Sequence, residues 1–302
     1  MRLSKSTITL FLLPAVIVYL AIFLYPTGRS LLMSFFEIPA LSSRMSDWSF
    51  VGLKNYTDLY HNSYFIGSIW NVIKIWLYGG IIVMFCAFLF AAILASGVRG
   101  KSFWRSLLYL PNTVSAVVLS AVWLHYIFNS SYGFLTKAFQ FLGLHSLADI
   151  QWTSDQHLFT SMLIAYCFGS IGYFMLLLNA GMERIPEDYY EASVIEGANA
   201  IQKFFKITLP LLQDVFRMTL ILWTVTAINF FVWSATFGLE SPETMTPGYY
   251  MYLKVFGSKG TVFSQEAFNV GAGTAVGVMI TISIVIISML INLFFRKERL
   301  EY

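Results

Sequence analysis

The sequence predicts an all-α membrane protein of six transmembrane helices with both termini in the cytoplasm, on three observations. Of its 302 residues 57% are hydrophobic and 18% aromatic, while only 12% are charged; soluble domains are roughly half apolar and a quarter charged. Six stretches lack Asp, Glu, Lys and Arg: Ile8 to Tyr25, Ile75 to Val98, Leu107 to Phe128, Leu158 to Met182, Met218 to Leu239 and Ala267 to Phe295. Each approaches or exceeds the roughly 20 apolar residues that a helix needs to cross a bilayer, and none alternates as a barrel strand would. Lys and Arg are uneven. With the N-terminus inside, the cytoplasmic pieces (1–7, 99–106, 183–217 and 296–302) hold 12 of them in 57 positions, whereas the outer pieces (26–74, 129–157 and 240–266) hold 7 in 105. That asymmetry sets the orientation, and a net charge of +3 scattered in this way makes no nucleic-acid surface.

The first span, in "MRLSKSTITLFLLPAVIVYLAIFLYPTGRS", has two leading positive charges and resembles a secretory signal. Its apolar run is long for that and no small-x-small site follows, so it is expected to remain as a helix. The outer segment 26–74 is expected to hold short structure, with "RSLLMSFFEIPAL" continuing the first helix and "DWSFVGLKNYTDLYHNSYF" lying at the interface. The connection "ESPETMTPGYYMYLKVFGSKGTVFSQE" is rich in turn residues. No internal repeat is visible, and residues 1–302 are expected to form a single transmembrane domain. Cys86 and Cys167 fall inside spans as small hydrophobes. Gly172, Gly181, Gly271, Gly273 and Gly277 sit in or at the ends of spans, where small residues permit close helix contact.

Most chemistry is excluded. "ASGVRGKS", Ala95 to Ser102, loosely fits a phosphate-binding loop, but such a loop follows a strand and here a membrane-length helix precedes it. There is no HExxH or GxSxG, and His61, His125, His145 and His157 show no ligand spacing. No catalytic or metal-binding residue and no bound cofactor is expected. The spans carry no carboxylate, which argues against a proton-coupled carrier; a standalone carrier using sodium stays open.

The longest cytoplasmic piece, 183–217, is the informative one. Tyr189 to Glu196 favours helix, Gly197 supplies a bend, and Ala198 to Lys206 reads as a second short helix with Ile201, Phe204 and Phe205 on one side. Pro210 suits the first turn of the following span. Such a bent amphipathic pair fits a membrane-surface anchor or a knob offered to a soluble partner. Glu187, Asp188, Glu191 and Glu196 favour the protein partner over an anionic lipid surface.

The spacing of Glu191, Ala192 and Ser193, then Gly197, then Ile207, Leu209 and Pro210 resembles the EAA loop of inner-membrane permease subunits of binding-protein-dependent ABC importers. The family usually has a second Ala where this chain has Ser193. "FLLPAVIVYLAIFLYPTGRSLLMSFF", "FVGLKNYTDLYHNSYFIGSIWNVIK", "YLPNTVSAVVLSAVW" and "FNVGAGTAVGVMITISIVIISMLINLFFRK" are similar to the carbohydrate, maltose-type branch. Before the last span the family often has Gly-Gly-Pro; this chain has "GLESPETMTP".

The resemblance implies a type I ABC importer permease in a bacterial inner membrane. It implies a heterodimer with a second homologous permease, two ATPase subunits that hold the ATP and Mg, and an extracytoplasmic solute-binding protein, all around a lipid bilayer. Glu191, Ala192, Ser193, Gly197, Ile201, Phe204, Phe205, Ile207, Leu209 and Pro210 would then couple this chain to an ATPase subunit. The solute is expected to be a sugar or oligosaccharide, or else a polyol or glycerol phosphodiester. Thr226, Asn229 and Trp233 of the fifth span follow i, i+3, i+7 and would line its path, since aromatic rings stack on sugars and amides bond hydroxyls.

Overall fold

A computed structural model describes residues 5–238, 240–257 and 268–295. The described chain is helical apart from a two-residue antiparallel pair, Phe36–Glu37 with Ser49–Phe50. Among the described residues five helices are long and apolar enough to cross a membrane: Thr9–Met33, Ser63–Ala95, Asp155–Met182, Gln213–Phe237 and Val270–Phe294. One more span, third in chain order, is a broken pair, Lys101–Thr113 and Ala116–Ile127, bent by 94°.

The first span runs on into "RSLLMSFFEIPAL", as expected, but ends at Met33. Other expected boundaries are corrected: the second span begins at Ser63, twelve residues before the uncharged run. A 33-residue helix is about 50 Å long at 1.5 Å per residue, longer than the roughly 30 Å of hydrocarbon it has to cross. Lys74 lies within it, its ammonium 5.4 Å from the ring centre of Phe159. The third span is not one helix. Pro111, in its last turn, lacks the N–H that the ladder needs, and Val114 and Ser115 are extended at ψ 137° and 136°. The fifth span is interrupted as well: helix stops at Ile228 and resumes at Val232, and Leu239 lies outside the described residues. Phe230 O, freed by this break, accepts from the Thr246 hydroxyl, while Ser234 Oγ donates to Thr244 O. Asn71 Nδ2 donates to Pro242 O and Met245 O, both at 3.0 Å. The carbonyls of this buried turn are thereby satisfied, as burial requires.

The chain forms two compact units, Met1–Ile66 with Tyr250–Thr281 and Gly67–Tyr249 with Ile282–Tyr302. In the first, two of the quoted motifs meet. Asn55, from "FVGLKNY", donates through Nδ2 to Ser34 O and Phe36 O at 2.8 and 2.9 Å. It accepts at 3.0 Å from Asn269, of "FNVGAG". Asn269 Oδ1 in turn accepts from the Ile38 and Ala272 amides, capping the last span. At Gly271 a Cβ would sit 1.7 Å from Phe36 O, so only glycine lets this backbone approach.

In the second unit Asp155–Met182 is the central helix, its core side chains including Met162, Ala165, Met175 and Leu178. It packs on Gly80–Ala95 and on Lys101–Thr113. The latter contact is backbone-close: a Cβ on Gly172 would come within 2.3 Å of Leu108 O. Five-residue π turns occur at Leu20–Leu24, Ile75–Gly79, Trp123–Ile127 and Phe204–Thr208. A π turn widens the helix and loosens its ladder. At Trp76 the carbonyl accepts the Trp223 indole N–H at 2.9 Å, and the Trp76 indole donates to Thr224 Oγ1 at 3.0 Å. Gly80 makes room for this exchange, since a Cβ there would meet Trp223 Nε1 at 2.7 Å.

Candidate functional site

The loop between the fourth and fifth spans starts from an ionic clip. Lys101 Nζ and Arg105 Nη2 approach Glu183 Oε1 at 2.6 and 2.8 Å. The hydrogen bond from Lys101 first, then the charges of Lys101 and Arg105, hold the Glu183 carboxyl below its ordinary value, with burial opposing them. Lys101 is the lysine of the phosphate-loop look-alike. A helix precedes that turn, and the structure engages the lysine with a carboxylate.

Beyond the clip, helix Glu187–Ile195 opens with Glu187 and Asp188 in its first turn, where acidic groups complement the helix dipole. It ends in a complete Schellman turn. Ala198 N donates to Ser193 O at 2.9 Å and Gly197 N to Val194 O at 3.0 Å, with Gly197 at φ +74°. Asn199 then caps the next helix reciprocally with Gln202: Gln202 N donates to Asn199 Oδ1 at 2.8 Å, and Asn199 N to Gln202 Oε1 at 2.9 Å. The second arm differs from the expected Ala198–Lys206 helix. It is Ala200–Lys203 followed by the Phe204–Thr208 π turn and Leu209–Leu211, running without a gap towards the fifth span. Pro210 sits in that short last piece.

Ser193 is buried and explains itself. Its hydroxyl donates to Tyr190 O at 2.6 Å, and the Tyr190 phenol pairs with Thr208 Oγ1 at 2.9 Å. The two arms are thus tied together, and a serine fits where alanine is usual because its one added polar atom is satisfied. Phe204 is half-buried against Phe88, ring centres 6.0 Å apart. Ile207 and Leu209 are half-buried, while Glu191, Ala192 and Pro210 are exposed. Ile195, Ile201 and Phe205 are 88%, 69% and 61% exposed, so the outer surface of the bend is apolar with acidic neighbours and leaves Phe204 behind.

The second candidate, the solute path, is brought together only in part. Thr226 and Asn229 are exposed, with Thr226 Oγ1 bonded to Trp223 O and Asn229 Nδ2 to Val225 O, both at 3.0 Å. Trp233 lies past the break in the helix. It is buried, its ring 5.9 Å from that of Tyr166. The expected single face of three residues is therefore interrupted between Asn229 and Trp233. Among the described residues no group of three His, Cys, Asp or Glu could hold a metal ion. The sequence did not announce the Glu183 clip or the Asn55–Asn269 bond, since each joins residues far apart in the chain.

The family described as "Binding-protein-dependent transport system inner membrane component" matches residues 84–299. The chain belongs to that family. Membership makes it an inner-membrane component of a transport system, and its match spans both the clip and the bent loop. A relative, the sn-glycerol-3-phosphate transport system permease protein UgpA of Escherichia coli O157:H7, is 32% identical over 67% of this chain. The match spans just under two thirds, 66%, of that relative's length. The probable ABC transporter permease protein YurN of Bacillus subtilis (strain 168) is 26% identical over 97% of both chains. Among solved structures, a bacterial ABC transporter involved in import of the acidic polysaccharide alginate has a chain with TM-score 0.78. It is 18% identical and covers 97% of this chain and 96% of its own, so the six-span permease fold is shared.

Proposed function

We propose that this chain forms half of the translocation path of an ATP-driven, binding-protein-dependent importer of a carbohydrate. In this reading a second homologous permease forms the other half. Two ATPase subunits hold the ATP and Mg, this chain binds no cofactor, and an extracytoplasmic protein delivers the solute. The carrying observation is the bent loop, whose Ile195, Ile201 and Phe205 are exposed beside Glu191 and Glu196. That is the composition of a helix-in-groove contact with charged flanks. Gly197 fixes the bend, Phe204 anchors it to the second span through Phe88, and Ala192, Ser193, Ile207, Leu209 and Pro210 give it shape. Movement of the ATPase pair would reach the spans through this knob.

A neutral or weakly charged solute is favoured because 218–238 contains no Lys, Arg, Asp or Glu. Thr226 and Asn229 would offer hydrogen bonds to its hydroxyls, with Trp233 shaping the wall behind them. The relatives named for glycerol phosphate support a polyol phosphate as the second reading.

The test is a double substitution, Ile201→Asp with Phe205→Asp, in the whole importer reconstituted in vesicles. Membrane insertion should be unchanged, while ATPase co-purification and ATP-dependent solute uptake fall at least tenfold, the loss of roughly 1.4 kcal/mol or more of binding. Normal uptake by the inserted variant would sink the assignment.

A further inference from the structure

We infer that the connection between the third and fourth spans is an interfacial segment whose exposed apolar face lies in the headgroup and acyl boundary of the bilayer. It sits at the opposite end of the fourth span from the 183–217 loop. Its helix Phe134–Phe141 and the turn that follows expose Phe134 (67%), Phe141 (91%), Leu142 (64%) and Leu144 (44%). A water-facing segment seldom shows so many large apolar side chains together.

Both ends of the connection are pinned to span ends. On one side Gly133 N and the buried Thr136 hydroxyl both donate to Asn129 O, at 2.9 and 3.2 Å. The start of the helix is therefore hydrogen-bonded to Asn129, two residues beyond the end of the third span. On the other side Ser161 Oγ donates to Trp152 O at 2.7 Å, and the Trp152 ring stacks on Phe128 at 5.7 Å. Such an aromatic cluster is typical of the membrane–water boundary.

Continuity with the exposed apolar surface of the span points to the occupant. From Val117 to Thr136 there is no Asp, Glu, Lys or Arg, and Val117, Val118 and Tyr126 are exposed along the way. The apolar surface of the span thus passes into that of the connection without a charged border. From 129 to 154 the charged residues are Lys137 and Asp149 alone. Lys137, whose Nζ lies 3.4 Å from Gln140 Oε1, stands between the two exposed phenylalanines, as a lysine does when its stem lies in the boundary and its ammonium reaches water. A soluble protein that docks and leaves would instead meet a polar, charged rim.

Single nitroxide labels at 141, 144 and 149 test this in the full chain, reconstituted in phosphatidylcholine vesicles with Cys86 and Cys167 replaced by Ala. Power saturation compares access of oxygen, which concentrates in acyl chains, with access of a water-soluble nickel chelate. The oxygen-to-nickel ratio should be about tenfold higher at 141 and 144 than at the aqueous reference 149 if the face is immersed. Ratios at 141 and 144 equal to that at 149 would overturn the inference. Closure of both sites to both reagents, with or without added second permease or solute-binding protein, would also overturn it by assigning the face to a protein. Because all three labels stand at exposed positions, a label-free thermal unfolding midpoint within the wild-type range certifies the fold in each case.

Discussion

At φ +74° Gly197 holds the left-handed backbone that completes the Schellman turn, and a β-branched residue there is strained by about 1–2 kcal/mol. Space is not the obstacle, since a Cβ at 197 meets nothing within 4 Å in the isolated chain. Gly197→Asn should therefore keep the bend and Gly197→Val should lose it. With both variants inserted, uptake should fall severalfold for Val and remain near wild type for Asn; equal uptake would show that the bend is not what matters. Glu183 supplies a pH test. Its carboxyl is lowered from the ordinary 4.5, chiefly by the Lys101 hydrogen bond. Protons therefore bind the unfolded form more tightly, and the clip contributes fully above about pH 4.5 and fades as pH falls through the folded value. The gap in unfolding midpoint between wild type and Glu183→Gln should thus be largest near neutrality and close on acidification. Being partly solvent-exposed, the clip should also weaken with salt. A gap that widens in acid would contradict this assignment.

Among the elements, a backbone-close seam lies between the fourth span and Lys101–Thr113, where Gly172 faces Leu108 O. Gly172→Val should part these helices and lower stability by roughly 1–3 kcal/mol, the usual toll of overpacking, read as a drop in the unfolding midpoint in detergent. An unchanged midpoint would mean that the seam relaxes freely. How legible the elements were follows from the same physics. Charge-free runs locate spans well because lipid penalises every unpaired polar group, but they say nothing of where a helix breaks. Pro111 was visible in the sequence, and the 94° bend after it was not, since a proline near a helix end is as often harmless. The interruption at Asn229 was hidden because its Phe230 carbonyl is satisfied by the Thr246 hydroxyl, distant in sequence. It is this interruption that separates Trp233 from Thr226 and Asn229.

For the whole molecule, composition and the placement of Lys and Arg carry the membrane architecture, while the bend of the 183–217 loop at Gly197 was legible because its signals are local in sequence. The bonds of Asn55 with Asn269 and of Glu183 with Lys101 join residues far apart, and no local pattern announces them. The π turns have a further consequence for how this fold tolerates change. Each amounts to one residue inserted in an α-helix and absorbed in a single wide turn, so that everything beyond it keeps its facing. Deleting a single residue from Ile75–Gly79 would therefore restore a plain α-helix and leave Val83, Ala87 and Ala91 on the core, whereas the same deletion in a regular turn rotates everything beyond it by about 100°. Within the spans of this chain a one-residue deletion should thus be borne at the π turns and nowhere else.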